Sequence, residues 1–208
     1  MNSLGRICAL LILLLPCAAM AQGLDGSRQL IVVTSKHWDD IQGSAQRYER
    51  HGDSFQKVEA PFAVVLGKNG MGWGKGLLDT GQLQGPVKQE GDGKAPAGMF
   101  KLGSAFGYNA SSETRLPYLA LTSTIECVDD SRSAHYNELV DGATMAQDWN
   151  SSERMRRHDD LYRQGIVIEH NTPASPAAGS CIFFHIWRGP AVPTRGCPAM
   201  YPVNIPRP

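Results

Sequence analysis

The apolar runs of this chain are short, often β-branched and closely punctuated by glycine and proline, which points to a turn-rich fold built mainly of strands. Gln29 to Ser35 (QLIVVTS) reads as a buried strand. Gly43 to Glu49 and Ser54 to Glu59 read as a hairpin turning on His51-Gly52-Asp53. Pro61 to Gly67 (PFAVVLG) reads as a further strand, ended by Gly67 and Asn69-Gly70. Trp73 stands among Gly70, Gly72, Gly74 and Gly76, too many glycines for a helix. Glycine and proline between Glu90 and Phe100 impose turns, after which Met99 to Leu102 resumes as a strand. Leu119 to Ile125, Ile166 to Glu169 and Cys181 to Trp187 are the remaining candidates. In the last, Cys181, Phe183 and His185 share one face and Ile182, Phe184 and Ile186 the other. One helix is expected, with Asn150 as N-cap, Glu153 three residues on, and Gly165 as the stop after Arg163. Its charged centre, Glu153 to Asp160, places it on the surface. Strands do not alternate regularly with helices, which argues against a doubly wound sheet. The expectation is one mainly β domain with one or two peripheral helices.

The first twenty-one residues read as a signal peptide. Arg6 precedes a nine-residue apolar run, Ile7 to Leu15, far short of the roughly 20 residues a spanning helix needs. Pro16 breaks the run, and Ala19-Met20-Ala21 supplies a small-x-small cleavage pattern; Pro16 also argues against lipidation at Cys17. The mature domain then runs from Gln22 to Pro208, exported to the periplasm or beyond, with no membrane span. Twenty basic and twenty acidic side chains balance, without a basic block, so no nucleic-acid or membrane surface is expected. Cleavage leaves Cys127, Cys181 and Cys197, an odd number for an oxidising compartment. One is a free thiol or bonds to another chain. If Cys127 and Cys181 pair, Cys197 is the free one.

The chemistry concentrates near the C-terminus. His185 closes an apolar strand, and Cys197 follows twelve residues later across a Gly/Pro-rich loop able to fold the thiol back onto the imidazole. A thiolate is the reactive form of cysteine, and a nearby imidazolium or helix start favours it. Gly196 lets the backbone turn sharply. Pro198 suits the first position of a helix, and backbone N–H groups near Cys197 could form an oxyanion hole, Pro198 having none to give. Arg188 and Arg195 flank the loop and could grip a carboxylate, while Asp129 and Asp130 either bind an amine or mark a turn. His170 either lines the cleft or faces solvent at a strand end. The spacing of His185, Cys181 and Cys197 does not fit zinc patterns, so neither a metal nor a cofactor is expected.

The stretch His185-Ile186-Trp187-Arg188-Gly189-Pro190 through Thr194-Arg195-Gly196-Cys197 resembles the catalytic signature of the L,D-transpeptidase (YkuD-type) family. Val64-Val65-Leu66-Gly67, the Trp73 glycine cluster and Gly91 to Phe100 resemble segments before the core strands of such domains. The resemblance implies a β-sandwich or barrel-like fold, with Cys197 as nucleophile, His185 as base, and Thr194, Arg195 and Gly196 in the active-site loop. Trp187, Arg188 and His170 would then contact substrate. The implied reaction is acyl transfer on peptidoglycan stem peptides: Cys197 forms a thioester at a diaminopimelate carbonyl, D-alanine leaves, and an amine or water resolves it. Carbapenem-type inhibitors would acylate the same thiol. Arg195 stands where many members have His, and Ala199 where many have Arg or Asn. Only eleven residues follow Cys197, so the C-terminal end is short against the family pattern. The rival expectations are a catalytically inactive wall-binding protein and a cysteine-dependent wall hydrolase, though such hydrolases generally place Cys before His.

Overall fold

A computed structural model describes residues 24–205. The expected signal peptide lies outside them. Thirteen strands and one 3-10 turn (Pro202–Asn204) make up the regular structure among the described residues. The hairpin of β1 (Gln29–Thr34), β2 (Gln42–His51) and β3 (Ser54–Val65) forms one side of the large sheet. The two strands expected at Ser54 and Pro61 are one. Ala45 pairs with Phe62 and Arg47 with Val58, so Glu59, Ala60 and Pro61 sit in an irregularity where a missing proline N–H breaks no ladder bond.

The remaining strands are β4 (Met71–Trp73), β5 (Ala95–Ala97), β6 (Leu102–Gly107), β7 (Tyr118–Ala120), β8 (Ile125–Val128), β9 (Leu139–Asp141), β10 (Ser152–Arg154), β11 (Gln164–Ile168), β12 (Phe183–Ile186) and β13 (Ala199–Met200). The large sheet runs β1-β2-β3-β13-β12-β11-β6-β7, a three-stranded sheet runs β10-β8-β9, and β4 pairs with β5. Leu119 to Ile125 is thus divided between two sheets, and the strand expected from Met99 begins only at Leu102.

The alternation on β12 is as read from sequence. Ile182, Phe184 and Ile186 join Ile166, Ile168, Val64 and Met200 in one core. Ile31 and Val33 of β1 and Tyr118 of β7, from the two edges of the sheet, pack on this same core, so the sheet curls round it without closing into a barrel. Cys181 and Phe183 lie in a second core with Phe106, Cys127, Met155, Tyr162 and Cys197. That core joins the large sheet to the three-stranded one. Phe106 and Phe183 are buried there almost completely, each burial stabilising by about 1.5–3 kcal/mol.

The helix expected from Asn150 to Gly165 does not form. Ser152–Arg154 instead adds β10 to the open edge of β8, with Glu153 opposite Cys127. Asn150, read as an N-cap, gives its N–H to Asp130 Oδ2 at 3.0 Å, and Ser152 Oγ bonds to the Glu126 carboxylate. Met155 and Tyr162 are both taken into the second core. A strand partner and an apolar surface outweigh a local capping pattern worth about 1 kcal/mol. Pro198 likewise starts no helix. It leads into β13, a two-residue strand held between β3 and β12.

Candidate functional site

Cys127 and Cys181 form a disulfide with Cα atoms 5.9 Å apart, and Cys197 is the free, buried thiol. Cys127 is on β8 and Cys181 stands just before β12, so the bond ties the small sheet to the large one. The pairing left open by sequence is decided by this meeting of two sheets.

Thr194 builds the turn that presents Cys197. Its N–H donates to the Leu66 carbonyl at 2.9 Å. Its hydroxyl accepts the Gly196 N–H at 3.1 Å and donates to the Cys197 carbonyl. Gly196 has φ +157°, a conformation L side chains rarely adopt, and a Cβ there would stand 3.2 Å from the Lys94 carbonyl oxygen. This carbonyl belongs to the Gly/Pro segment 90–98, which therefore packs directly on the cysteine loop. With the Gly196 N–H committed to Thr194 and Pro198 lacking one, the amide of Cys197 is the N–H of this tripeptide left to meet a ligand.

β12 and β13 run parallel with His185 opposite Ala199. Cys197, two residues before Ala199, comes to the same side of the sheet as His185. Its sulfur accepts the Phe183 N–H at 3.3 Å, and the thiol points to the Cys181 carbonyl oxygen at 3.5 Å. Burial pushes the thiol up to about 12, and the negative charge of Glu153 adds to that. The imidazole is 6% exposed, and burial lowers it to about 4. His185 Nδ1 lies 2.7 Å from the Ile186 carbonyl oxygen. A carbonyl only accepts, so Nδ1 carries the proton and Nε2 keeps its lone pair. At rest the two groups are a neutral thiol and a neutral imidazole, with no hydrogen bond between them among the described residues. A cleft of about 320 Å³ between the sheets reaches Cys181 and Phe183, whose backbones hold the thiol.

Residues not singled out from sequence surround this pair. Tyr162 is 4% exposed and packs edge-on to His185, ring centroids 5.2 Å apart. Its hydroxyl donates to Glu153 Oε1 at 2.7 Å, and Arg157 lies 3.6 Å from the same oxygen. Burial raises the Glu153 carboxyl. Behind Cys181, Ser180 Oγ donates to Glu90 Oε2 at 2.6 Å, and the Tyr136 hydroxyl bonds to that same oxygen. Lys88, 5% exposed, meets Asp92 Oδ1 at 2.7 Å. Tyr162 and Glu153 fell inside the segment read as a helix, where no sequence signal brings them together; the β10–β8 register places Glu153, and packing in the second core places Tyr162 against His185.

The other candidates are dispersed. Arg195 is exposed beside Cys197. Arg188 is exposed and meets Asp159 Oδ2 at 3.4 Å. Trp187 packs on Tyr201, centroids 6.4 Å apart. His170 neither lines the cysteine pair nor faces solvent. It is 2% exposed, packs edge-on to Phe100, and bonds through Nε2 to the Ala178 carbonyl at 3.0 Å. Burial lowers it to about 4. It is among the residues that border the 320 Å³ cleft. Asp130 anchors a turn: the Arg132 guanidinium first, then the backbone N–H groups of Asn150 and Arg132, hold its carboxyl well below the usual range. Asp129 has a buried Oδ1 with no hydrogen-bond partner. Among the described residues no three His, Cys, Asp or Glu are placed to hold a metal ion, and no helix is long and apolar enough to cross a membrane.

Comparison with protein-family models, curated proteins and solved structures gives no match.

Proposed function

We propose that this protein is a cysteine acyltransferase of the L,D-transpeptidase type, acting on peptidoglycan stem peptides outside the cytoplasm. The observation that carries the reading is the place of Cys197. It is the free thiol beside an oxidised cysteine pair, in the loop that leads into β13, and it packs with Phe183 on the face of β12 that also carries His185. A disulfide also suits an oxidising compartment.

In this reading Cys197 Sγ attacks the diaminopimelate carbonyl while its proton passes to Nε2 of His185. The imidazolium returns the proton to the departing D-alanine amine, leaving a thioester. An acceptor amine then attacks, loses its proton to Nε2, and releases the thiol. Both groups start neutral, so no buried ion pair has to be maintained before substrate arrives. The Cys197 N–H is the donor available to the oxyanion, a contribution typically worth 10²–10³ in rate.

A second reading is a wall-binding protein without turnover, favoured by the deep burial of the thiol and its bond to the Cys181 carbonyl. Incubation of the protein with a carbapenem, read by intact mass spectrometry, separates the two. A covalent mass increase that vanishes in Cys197→Ala supports acyl transfer. A folded protein that gains no mass supports the binding protein. Digestion of muropeptides without new diaminopimelate cross-links would identify a hydrolase.

A further inference from the structure

Tyr162 is an unexpected side chain to find against a histidine base, because a buried hydroxyl must find a partner or cost about 1–3 kcal/mol. Its partner is Glu153, 2.7 Å away. Glu153 in turn is fixed by its place opposite Cys127 in the β10–β8 ladder, and Cys127 is bonded to Cys181. A continuous connection therefore runs from the disulfide through a strand register to a hydroxyl whose ring touches His185.

The ring itself has little freedom. Phe106 at 5.9 Å, Phe183 at 5.7 Å and His185 at 5.2 Å all meet it edge-on, and the Arg157 guanidinium lies 5.3 Å over its centre. His185 is consequently bounded in two ways. Ile186 takes its Nδ1 proton, and Tyr162 limits the rotation of the imidazole. A base free to swing would spend little time with Nε2 toward the thiol, and a misplacement of about 1 Å can cost on the order of 100-fold in rate. The charged groups around the imidazole are Arg157, Asp159 and Arg188, so the carboxylate of Glu153 acts on it through Tyr162 and not by direct pairing.

We propose that Tyr162, anchored at its hydroxyl by Glu153, is a positioning residue that holds the His185 imidazole in the orientation needed to receive the Cys197 proton. This rests on the acyl-transfer reading. Tyr162 is buried, so it acts without touching substrate.

The test compares wild type with Tyr162→Phe, Tyr162→Leu and Glu153→Gln, each checked for folding by near-ultraviolet circular dichroism. Two readouts are taken: the rate of carbapenem acylation at Cys197 against inhibitor concentration, and the ring nitrogen shifts of His185 against pH by NMR. Tyr162→Phe keeps the packing but not the anchor and is expected to slow acylation about 10-fold. Tyr162→Leu is expected to slow it about 100-fold. The half-saturating concentration should not move. Glu153→Gln keeps an acceptor for the hydroxyl and should stay within about threefold of wild type, a conservative rescue. In Tyr162→Leu the Nδ1–H form of His185 should mix with its tautomer, and its titration midpoint should rise from about 4 toward the ordinary 6.5. A folded Tyr162→Leu protein with wild-type acylation, tautomer and midpoint overturns the proposal. If wild type takes no acyl group, the acyl-transfer reading fails, and the nitrogen shifts still decide whether Tyr162 positions the ring.

Discussion

Phe183 donates its backbone N–H to Cys197 Sγ at 3.3 Å, joining the nucleophile candidate to the strand that carries His185. This bond favours the thiolate, yet burial opposes it and wins, leaving the thiol at about 12. Alkylation of Cys197 by iodoacetamide in the native protein should therefore be slow at pH 8 and accelerate only as pH approaches 12. The ordinary thiol value is 9.0, so the unfolded chain loses this proton first. The contribution to stability is complete below pH 9.0 and lost between 9.0 and about 12, and Cys197→Ala should flatten that alkaline decline. Peptide mapping of the alkylated cysteine across pH, beside urea titrations, checks both.

Acid should destabilise the fold through two histidines. His170 and His185 are held neutral down to about 4 in the native state, against an ordinary 6.5. Between those values the unfolded chain binds more protons, so their stabilisation is complete above pH 6.5 and falls away toward pH 4. Each contributes on the order of 3 kcal/mol over that window. Urea midpoints at pH 7 and pH 4.5 should differ clearly. His185→Gln should narrow the difference.

Removing the disulfide should loosen more than the chain. Cys127 and Cys181 are 54 residues apart, and closing a loop of that length contributes about 4 kcal/mol. The double variant Cys127→Ala, Cys181→Ala should melt markedly lower, and its Cys197 should alkylate faster, because the Cys181 carbonyl that receives the thiol is no longer tethered. Thermal melts with the alkylation assay test both.

Gly196→Ala should be costly at the turn that presents Cys197. The φ of +157° disfavours any Cβ, and the Lys94 carbonyl oxygen at 3.2 Å leaves little room for one. A loss of about 1–2 kcal/mol is expected, with the Cys197 turn displaced. Carbapenem acylation should fall more than stability does. Equal stability and acylation in the variant would show that the turn tolerates a side chain.

Thr194→Val should uncouple the same turn by a different route. The hydroxyl both accepts from the Gly196 N–H and donates to the Cys197 carbonyl, and valine of similar shape does neither. A loss of about 1–3 kcal/mol is expected, read by urea denaturation. Thr194→Ser, which keeps the hydroxyl, should recover most of it.

The amino-acid sequence by itself determined the strand character of the chain, because alternation on Cys181 to Ile186 and β-branched runs broken by glycine and proline are local signals. It also marked Cys197, His185 and the turn between them, since residue type and order carry that information. It misread Asn150 to Gly165, whose capping pattern is local while the edge of β8 and the core that takes Met155 and Tyr162 are not. It left His170 between a cleft-lining and a solvent-facing place, and the burial observed depends on segments distant in the chain. Only the tertiary structure decided that Cys127 bonds Cys181, that Cys197 and His185 share one side of the sheet, and that both rest neutral. The physical reason is the same in each case. Pairing across sheets and removal from water are set by what packs together, and an isolated stretch of chain does not contain its neighbours.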